Sequence, residues 1–280
     1  MSVRIIIDST ADVAANLRAR FTILPLTLRF GEEEYKDGVD ITSQEFYEKL
    51  VESDVMPSTS QATPYQFTEV FREAVDAGDT VVALTISSRL SGTWQSAMMA
   101  AEDFFGKVFV VDSRSVAIGS GILAEYALEL VDQGLEAKEI ADRLTVEREN
   151  VHLLAMVNTL EYLKRGGRVS KSVAFAGELL SIKPVIAVRD GEVSIIGKAR
   201  GSRAANNLLV KEIENAGGVD FFKPVMLGYT GMSDAMLQKY IRDSAALWEG
   251  HLEELRTTIV GSVIGTHAGP GAVAVAFFCR

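Results

Sequence analysis

Two hydroxyl-rich stretches of the sequence precede predicted helices and could bind an anion. One is MPSTSQATP at 56–64, and the other is ISSRLSGTWQSA at 86–97. The free N–H groups and the dipole at a helix N-terminus favour negative charge, and hydroxyl groups add further donors. Capping of the helix is the alternative role for the same side chains. The residues that could contact an anion are Thr59, Ser60, Ser91, Gly92 and Thr93.

His267 is one of three histidines in the chain and lies in the glycine-rich stretch GTHAGPG. The sequence predicts a turn here, followed by a buried strand of small residues at 272–275. The imidazole could act as a base, offer a hydrogen bond to an anion, or bond to the backbone of the turn. Gly269 and Gly271 would let the backbone pass close to a ligand or a neighbouring loop.

An enzymatic role for these residues stays open at this point. Asp8 and Ser9 follow the first predicted strand, and ligands in α/β folds lie at the carboxyl ends of parallel strands. A Ser91–His267 pair oriented by Asp8 would make a small hydrolase of an acyl or phosphate ester. The chain lacks the phosphate-binding loop Gly-x-x-x-x-Gly-Lys-Ser/Thr, the Gly-x-Ser-x-Gly elbow and the spacing of a zinc site.

The composition narrows the class of protein. The chain has 280 residues, 48% of them hydrophobic, which is enough to bury the cores of about two domains. Its net charge of −10 argues against nucleic-acid binding, and the single cysteine, Cys279, cannot form an intrachain disulfide. No apolar run reaches the roughly 20 residues that span a bilayer, and the N-terminus lacks a signal-peptide core. We expect a cytoplasmic protein without stable membrane insertion.

Alternating strands and helices predict an α/β fold with two α/β domains. Residues 1–155 should form a domain with a mostly parallel, helix-covered sheet, and residues 156–280 a second domain. In the second, Asp190-Gly191 between two apolar runs predicts a hairpin at 183–200. The predicted strands are 3–8, 22–30, 80–86, 107–112, 151–157, 223–229 and 256–260. The predicted helices are 64–77, 92–105, 115–133, 136–148, 202–216 and 233–249.

Seven motifs occur in an order that resembles the DegV family of bacterial fatty-acid-binding proteins. They are DST, TSQATP, ISSRLSGTWQSA, VVDSRS, LEYLKRGGRVSK, KPVIAVRDGEV and IGTHAGPGAVAVAF, and the resemblance extends over about residues 3–278. The resemblance implies two α/β domains with a long-chain fatty acid (about 14 to 18 carbons) between them. The chain would lie in a tunnel and hydroxyls would hold the carboxylate. Some members present the fatty acid to a separate fatty-acid kinase, which makes an acyl-phosphate, so the binding protein is not itself a catalyst.

The resemblance also assigns residues. It makes Thr59 and Ser91, with their loop neighbours Ser60, Gly92 and Thr93, the carboxylate site, with His267 nearby. Asp8, Ser9, Gly269 and Gly271 would support it, and no cofactor or metal is implied. Two positions depart from the family pattern, Ala62 where proline is frequent and Ala274 where glycine is frequent. A tunnel of that length also needs a large apolar lining, for which the sequence offers Ile118, Ile122, Phe175, Leu179, Leu180 and Ile182. For each of them, burial in an ordinary core is the alternative and the commoner role.

Basic residues crowd around the glycine pair in LEYLKRGGRVSK, at 160–171. Lys and Arg commonly lie at helix C-termini, but four cations here exceed what that role needs. A second cationic segment follows the predicted hairpin. We expect these residues to form a docking surface for the fatty-acid kinase, because arginine pairs bidentately with phosphate or carboxylate. The residues are Lys164, Arg165, Arg168 and Lys171 in the first segment, and Lys198, Arg200 and Arg203 in the second.

Overall fold

The structure is a computed structural model that describes residues 2–169 and 182–280. Its strands are, in chain order, β1 (Val3–Asp8), β2 (Thr22–Leu24), β3 (Thr27–Phe30), β4 (Glu33–Lys36), β5 (Ser58–Ser60), β6 (Thr80–Thr85), β7 (Val108–Asp112), β8 (Val151–Met156), β9 (Ile182–Arg189), β10 (Glu192–Arg200), β11 (Met226–Tyr229), β12 (Arg256–Ile259) and β13 (Val273–Phe278). Its helices are α1 (Ser43–Glu52), α2 (Pro64–Asp76), α3 (Thr93–Ala101), α4 (Ala117–Asp132), α5 (Ala137–Glu147), α6 (Glu161–Arg165), α7 (Gly201–Asn215), α8 (Ala235–Asp243) and α9 (Ser262–Ala268).

The first sheet is parallel and covered by helices on both faces, which confirms the predicted α/β class. Its strand order is β2-β1-β6-β7. On β6, Val81 and Ala83 pack with α2 and α3, whereas Val82 and Leu84 pack with α4 and α5. Strands buried on both faces read as continuous apolar runs, as VRIIID and TVVALT do.

The second sheet has six strands in the order β10-β9-β8-β13-β11-β12. Only β11 and β12 pair in parallel, and the other described neighbours pair antiparallel. The predicted hairpin is confirmed, with Asp190 and Gly191 both at positive φ between β9 and β10. One face of the sheet packs with α7 and α8, and the other turns towards α4. This sheet begins at Val151, so β8 belongs to it; the division into domains at residue 155 stays a prediction.

Helix α4 is the element that the two large sheets share. It contacts β1 and β6 of the first sheet and β8, β11 and β13 of the second, and 13 of its 16 residues are buried. Close packing requires small residues on α4, since a Cβ at Gly121 would overlap the carbonyl oxygen of Asp12. The buried Glu125 accepts a hydrogen bond from the amide of Ala14 (2.7 Å) and pairs with Arg256.

Four predicted elements differ from the structure. The helix expected at 92–105 ends at Ala101 and is followed by a separate 3₁₀ turn, Glu102–Phe104. The strand expected at 22–30 divides at Pro25 into β2, in the parallel sheet, and β3, in a small sheet of order β4-β3-β5. Proline lacks the N–H that a continuous ladder needs. The helix expected at 233–249 ends at Asp243 and is followed by a separate 3₁₀ turn, Ala245–Trp248. His267 lies in helix α9, not in a turn, and a turn begins only at Gly269 (φ +69°).

Replacing Gly121 with alanine tests how tightly α4 is packed. In an open helix interior this change stabilises a protein by about 1 kcal/mol. Here the methyl group would overlap the Asp12 backbone, so we expect the free energy of unfolding to fall by about 2 kcal/mol or more. Urea unfolding measures the change, and Ala204→Gly on the exposed face of α7 calibrates the helix-propensity contribution. Unchanged or higher stability would contradict the packing.

Candidate functional site

A cavity lies between α4, α9 and the inner face of the six-stranded sheet. It holds about 110 Å³ of space open to the centre of a water molecule. Its floor is formed by Leu153 and Ala155 on β8, Ala274 on β13, and Ala272 directly before β13. Ala155 pairs directly with Ala274 across the two strands, so small side chains meet there and leave room above the sheet. The space is therefore a consequence of the period-2 pattern of small residues in GAVAVAF.

Polar side chains on the cavity wall come from separate elements. Thr59 lies on β5, Ser91 in the loop between β6 and α3, and His267 on α9. Arg168 follows α6, and Thr230 follows β11. The rest of the described lining is apolar, and Arg168 is its one side chain with a full charge. The wall therefore combines an apolar surface with a few hydrogen-bond donors and one cation.

His267 is held by one hydrogen bond and by burial. Its Nε2 lies 3.0 Å from the hydroxyl oxygen of Thr59, and its buried Nδ1 has no partner among the described residues. Burial and, to a lesser extent, the nearby charge of Arg168 together lower the pKa of His267 to about 4. The imidazole is therefore neutral at physiological pH and offers a hydrogen bond without a charge.

Arg168 supplies the positive charge at this end of the cavity. The side chain is half-buried, and its guanidinium donates to the carbonyl oxygens of Leu90 (3.2 Å) and Gly166. Burial lowers the pKa of Arg168, but an arginine stays protonated at physiological pH. These two bonds hold the cation between the Ser91 loop and the end of α6.

Ser91 precedes α3 and lies close to the N-terminus of that helix. Its Oγ lies 2.9 Å from the hydroxyl of Thr93 and accepts a hydrogen bond from the Thr93 amide (3.3 Å). The capping role and the place on the cavity wall therefore occur together in one side chain.

The N-terminus of α9 is anchored by carboxylates from the first half of the chain. The amide of Gly261 donates to Asp12 (2.8 Å), and the amide of Ser262 donates to Asp37 (3.2 Å). Tyr47 donates to the carbonyl oxygen of Val260 (3.0 Å). Burial raises the pKa of Asp37 and raises that of Asp12 well above its usual range. These bonds set the position of α9, and so the position of His267.

The structure brings together three of the six predicted carboxylate-site residues. Thr59, Ser91 and His267 line the cavity. Their predicted neighbours do not line it: Ser60 is exposed on the opposite face of β5, Gly92 packs against Gln61, and Thr93 is buried beside Ser91. Thr59 lies on β5 of the small sheet, whereas Ser91 follows β6 of the parallel sheet, so two different sheets supply these side chains.

The predicted supporting residues act at a distance from the cavity. Asp8 accepts hydrogen bonds from Thr10 and from the amide of Ile86 (2.7 Å), which ties β1 to the end of β6. Ser9 accepts from the amide of Leu26 (3.0 Å). Backbone at Gly269 packs against the ring of Tyr162, and backbone at Gly271 packs against Asn158.

The Ser91–His267–Asp8 arrangement of a hydrolase is not assembled. His267 bonds to Thr59, Ser91 bonds to Thr93, and both carboxylate oxygens of Asp8 are occupied by Thr10 and Ile86. In residues 2–169 and 182–280, no cluster of three metal-ligating side chains occurs. Within the same ranges, no helix is long and apolar enough to cross a membrane.

The described residues that were predicted to line the tunnel do not line the cavity. Ile118 and Ile122 are fully buried in α4 and do not line the cavity, and Ile118 packs over Gly228. Ile182 is the first residue of β9. Phe175, Leu179, Leu180 and Lys171 lie outside the described residues.

The basic residues of the two segments differ in their exposure. Arg165 is exposed and pairs with Glu161, whereas Arg168 lies on the cavity wall rather than on an exposed turn. Lys198, Arg200 and Arg203 are exposed. The sequence analysis assigned Arg168 to a docking surface together with its basic neighbours, because residue type alone does not show that Arg168 reaches the cavity wall.

Comparison with known proteins places the chain in a family. The family model described as "Uncharacterised protein, DegV family" matches residues 2–280. The chain belongs to the DegV family. It is 34% identical to a DegV domain-containing protein of Caldanaerobacter subterraneus subsp. tengcongensis, over 98% of both chains.

Two solved structures of fatty-acid-binding proteins are similar to this chain. A fatty-acid-binding DegV family protein from Thermus thermophilus is 33% identical, with a TM-score of 0.89 and 100% of both chains covered. A stearic acid-binding protein from Eubacterium ventriosum is 26% identical, with a TM-score of 0.85, and covers 100% of this chain and 98% of its own. The chain therefore has the fold of these lipid-binding proteins over its full length.

The low pKa of His267 makes a testable contribution to stability. The pKa is about 4 in the folded protein, and its ordinary value is 6.5. As the pH falls through this window, the unfolded chain takes up a proton that the folded chain refuses. The stability advantage of wild type over His267→Gln should therefore shrink by about 2 kcal/mol between pH 7 and pH 5. Urea unfolding at each pH measures it; parallel curves would show that His267 is not held neutral.

Proposed function

We propose that this protein binds a long-chain fatty acid, with the acyl chain in the cavity and the carboxylate between Thr59, Ser91, His267 and Arg168. The observation that carries the proposal is one apolar cavity whose described wall has a single cation, at Arg168, with neutral donors around it. The fatty acids bound by the relatives from T. thermophilus and E. ventriosum support the same ligand class. The proposed role is that of a carrier and needs neither a metal nor a cofactor.

The energetics favour this assignment of chain and headgroup. Each buried CH₂ contributes about 0.8 kcal/mol, so a chain of about 16 carbons supplies more than about 10 kcal/mol before ordering costs. A carboxylate in the same cavity would be costly without partners. Arg168 offsets that cost by charge, and the hydroxyls of Thr59 and Ser91 offset it by hydrogen bonds, which are stronger to an ionised acceptor.

Native mass spectrometry of the purified protein tests the ligand class directly. We expect a co-purified mass that corresponds to a fatty acid of about 14 to 18 carbons. Calorimetry with the delipidated protein should then show binding of that acid. A protein that purifies without lipid and binds no fatty acid in calorimetry would overturn the proposal.

Substitutions on opposite faces of β5 test the position of the carboxylate. Thr59→Val and Ser91→Ala each remove a donor to a charged group, so each should weaken fatty-acid binding by about 1–3 kcal/mol. Ser60→Ala, one residue further along β5, should leave the affinity unchanged because Ser60 is exposed and off the cavity wall. Equal effects of the Thr59 and Ser60 changes in calorimetry would place the carboxylate elsewhere.

We further propose that exposed cations beside the cavity dock a fatty-acid kinase, which would phosphorylate the bound acid. A polar cleft lined by Arg89, Arg168 and Lys198 shares Leu90, Arg168 and Val193 with the cavity. Arg200 and Arg203 are exposed on the segment that continues from Lys198. Charges at the rim of an interface mainly govern encounter and orientation, so they suit recognition of an acidic, phosphate-handling partner.

Charge reversal at Arg200 and Arg203 separates docking from ligand binding. The double change Arg200→Glu, Arg203→Glu should abolish acyl-phosphate formation by a fatty-acid kinase and leave fatty-acid affinity intact. Lys138→Glu, a charge reversal at an exposed lysine of α5, is the control. Phosphorylation of the double variant at the wild-type rate would contradict docking at this surface. Arg168 is not used here because it lines the cavity.

A further inference from the structure

The glycine pair after α6 contains two residues with different structural requirements. Gly167 has φ of +72°, and a side chain there would meet no described residue within 4 Å. The backbone conformation therefore requires glycine at 167, because the left-handed conformation ends α6 and disfavours other residues. Gly166 has an ordinary φ of −70°, but a Cβ there would overlap Nδ1 of His267. Glycine is therefore required at 166 because any side chain would overlap the imidazole of His267.

A reciprocal contact occurs at the end of α9. A Cβ at Gly269 would overlap the ring of Tyr162, which lies on α6. Each of the two short helices thus presents a ring to a glycine of the other, His267 against Gly166 and Tyr162 against Gly269. The two contacts interlock α6 with α9 and leave the imidazole little freedom to move.

The same contact decides which ring nitrogen carries the proton. Within residues 2–169 and 182–280, Nδ1 is buried without a partner, whereas Nε2 lies 3.0 Å from Thr59 Oγ1. A buried N–H without an acceptor is rarer and costlier than an unused lone pair. The proton therefore belongs on Nε2, which donates to Thr59. The hydroxyl hydrogen of Thr59 is then left to donate towards the cavity.

We propose that Gly166 is a positioning residue of the headgroup site: its missing side chain seats His267 with the proton on Nε2, which orients the Thr59 hydroxyl as a donor to an anionic headgroup. The inference rests on the proposed function. His267 acts through Thr59, and the guanidinium of Arg168 also has only donors. A carboxylate satisfies such a site, whereas a fatty amide of equal length opposes it with donors of its own.

The adjacent glycines provide the matched pair of variants. Gly166→Ala should displace the imidazole and weaken binding of palmitate by at least about tenfold. The preference for palmitate over palmitamide should fall with it. Gly167→Ala should lower the melting temperature through backbone strain, yet leave the palmitate affinity within about twofold, because its side chain meets no described residue. In a His267→Ala background, Gly166→Ala should cost less than about twofold, since the overlapping ring is gone.

Nitrogen NMR of the ligand-free protein tests the positioning without reference to a ligand. Wild type and Gly167→Ala should show a protonated Nε2 and an unprotonated Nδ1 on His267, and Gly166→Ala should lose this pattern. If Gly166→Ala alone fails to fold, the double change with His267→Ala should fold, because it removes the overlap.

Three results would overturn the inference. They are a proton on Nδ1 in the wild type, equal loss of palmitate affinity in the two glycine variants, and a cost of Gly166→Ala that persists without His267. Failure of the proposed function is a different outcome: no variant and no wild type would bind palmitate, while the NMR comparison of the two glycine variants would still decide whether Gly166 positions His267.

Discussion

The two hydrogen bonds from the N-terminus of α9 to Asp12 and Asp37 are the constraint on which the site depends. The helix amides and the carboxylates satisfy each other's hydrogen-bonding groups. The first amides of a helix have no acceptor within the helix, and a carboxylate taken out of water needs donors. Because the two aspartates come from the first part of the chain, α9 is anchored by residues that are far from it in sequence. His267 on α9 then reaches Thr59, which is 208 residues away along the chain.

Around this anchored helix, the cavity divides into an apolar floor and a polar end. The floor is a sheet face with Ala155 beside Ala274, where short side chains leave space. At the polar end the histidine is neutral, because burial and Arg168 both oppose its protonation. Among the described lining residues the positive charge is thus confined to Arg168, and the other polar groups act by hydrogen bonds. One cation with neutral donors suits a single anionic group attached to an apolar chain.

The sequence predicted those residues of the candidate site that lie in a distinctive local stretch. The hydroxyl stretches identified Thr59 and Ser91, and the glycine-rich stretch identified His267. Neighbours were harder to separate: Ser60 and Thr59 are equivalent as residue types, but alternation along β5 sends them to opposite faces. Arg165 and Arg168 are likewise both basic residues near one glycine pair, yet one pairs with Glu161 on the surface and the other reaches the cavity.

The sequence by itself determined the parallel sheet, the hairpin at Asp190-Gly191 and the family. Their signals are local: β-branched runs, helix caps, turn dipeptides and ordered motifs. The tertiary structure alone decided that residues 22–30 divide between two sheets, that His267 lies on a helix and that the two glycines after α6 have separate roles. These outcomes depend on contacts between segments far apart in sequence. A ring against Gly166 or a carboxylate at the start of α9 leaves no periodic pattern in the residues around it.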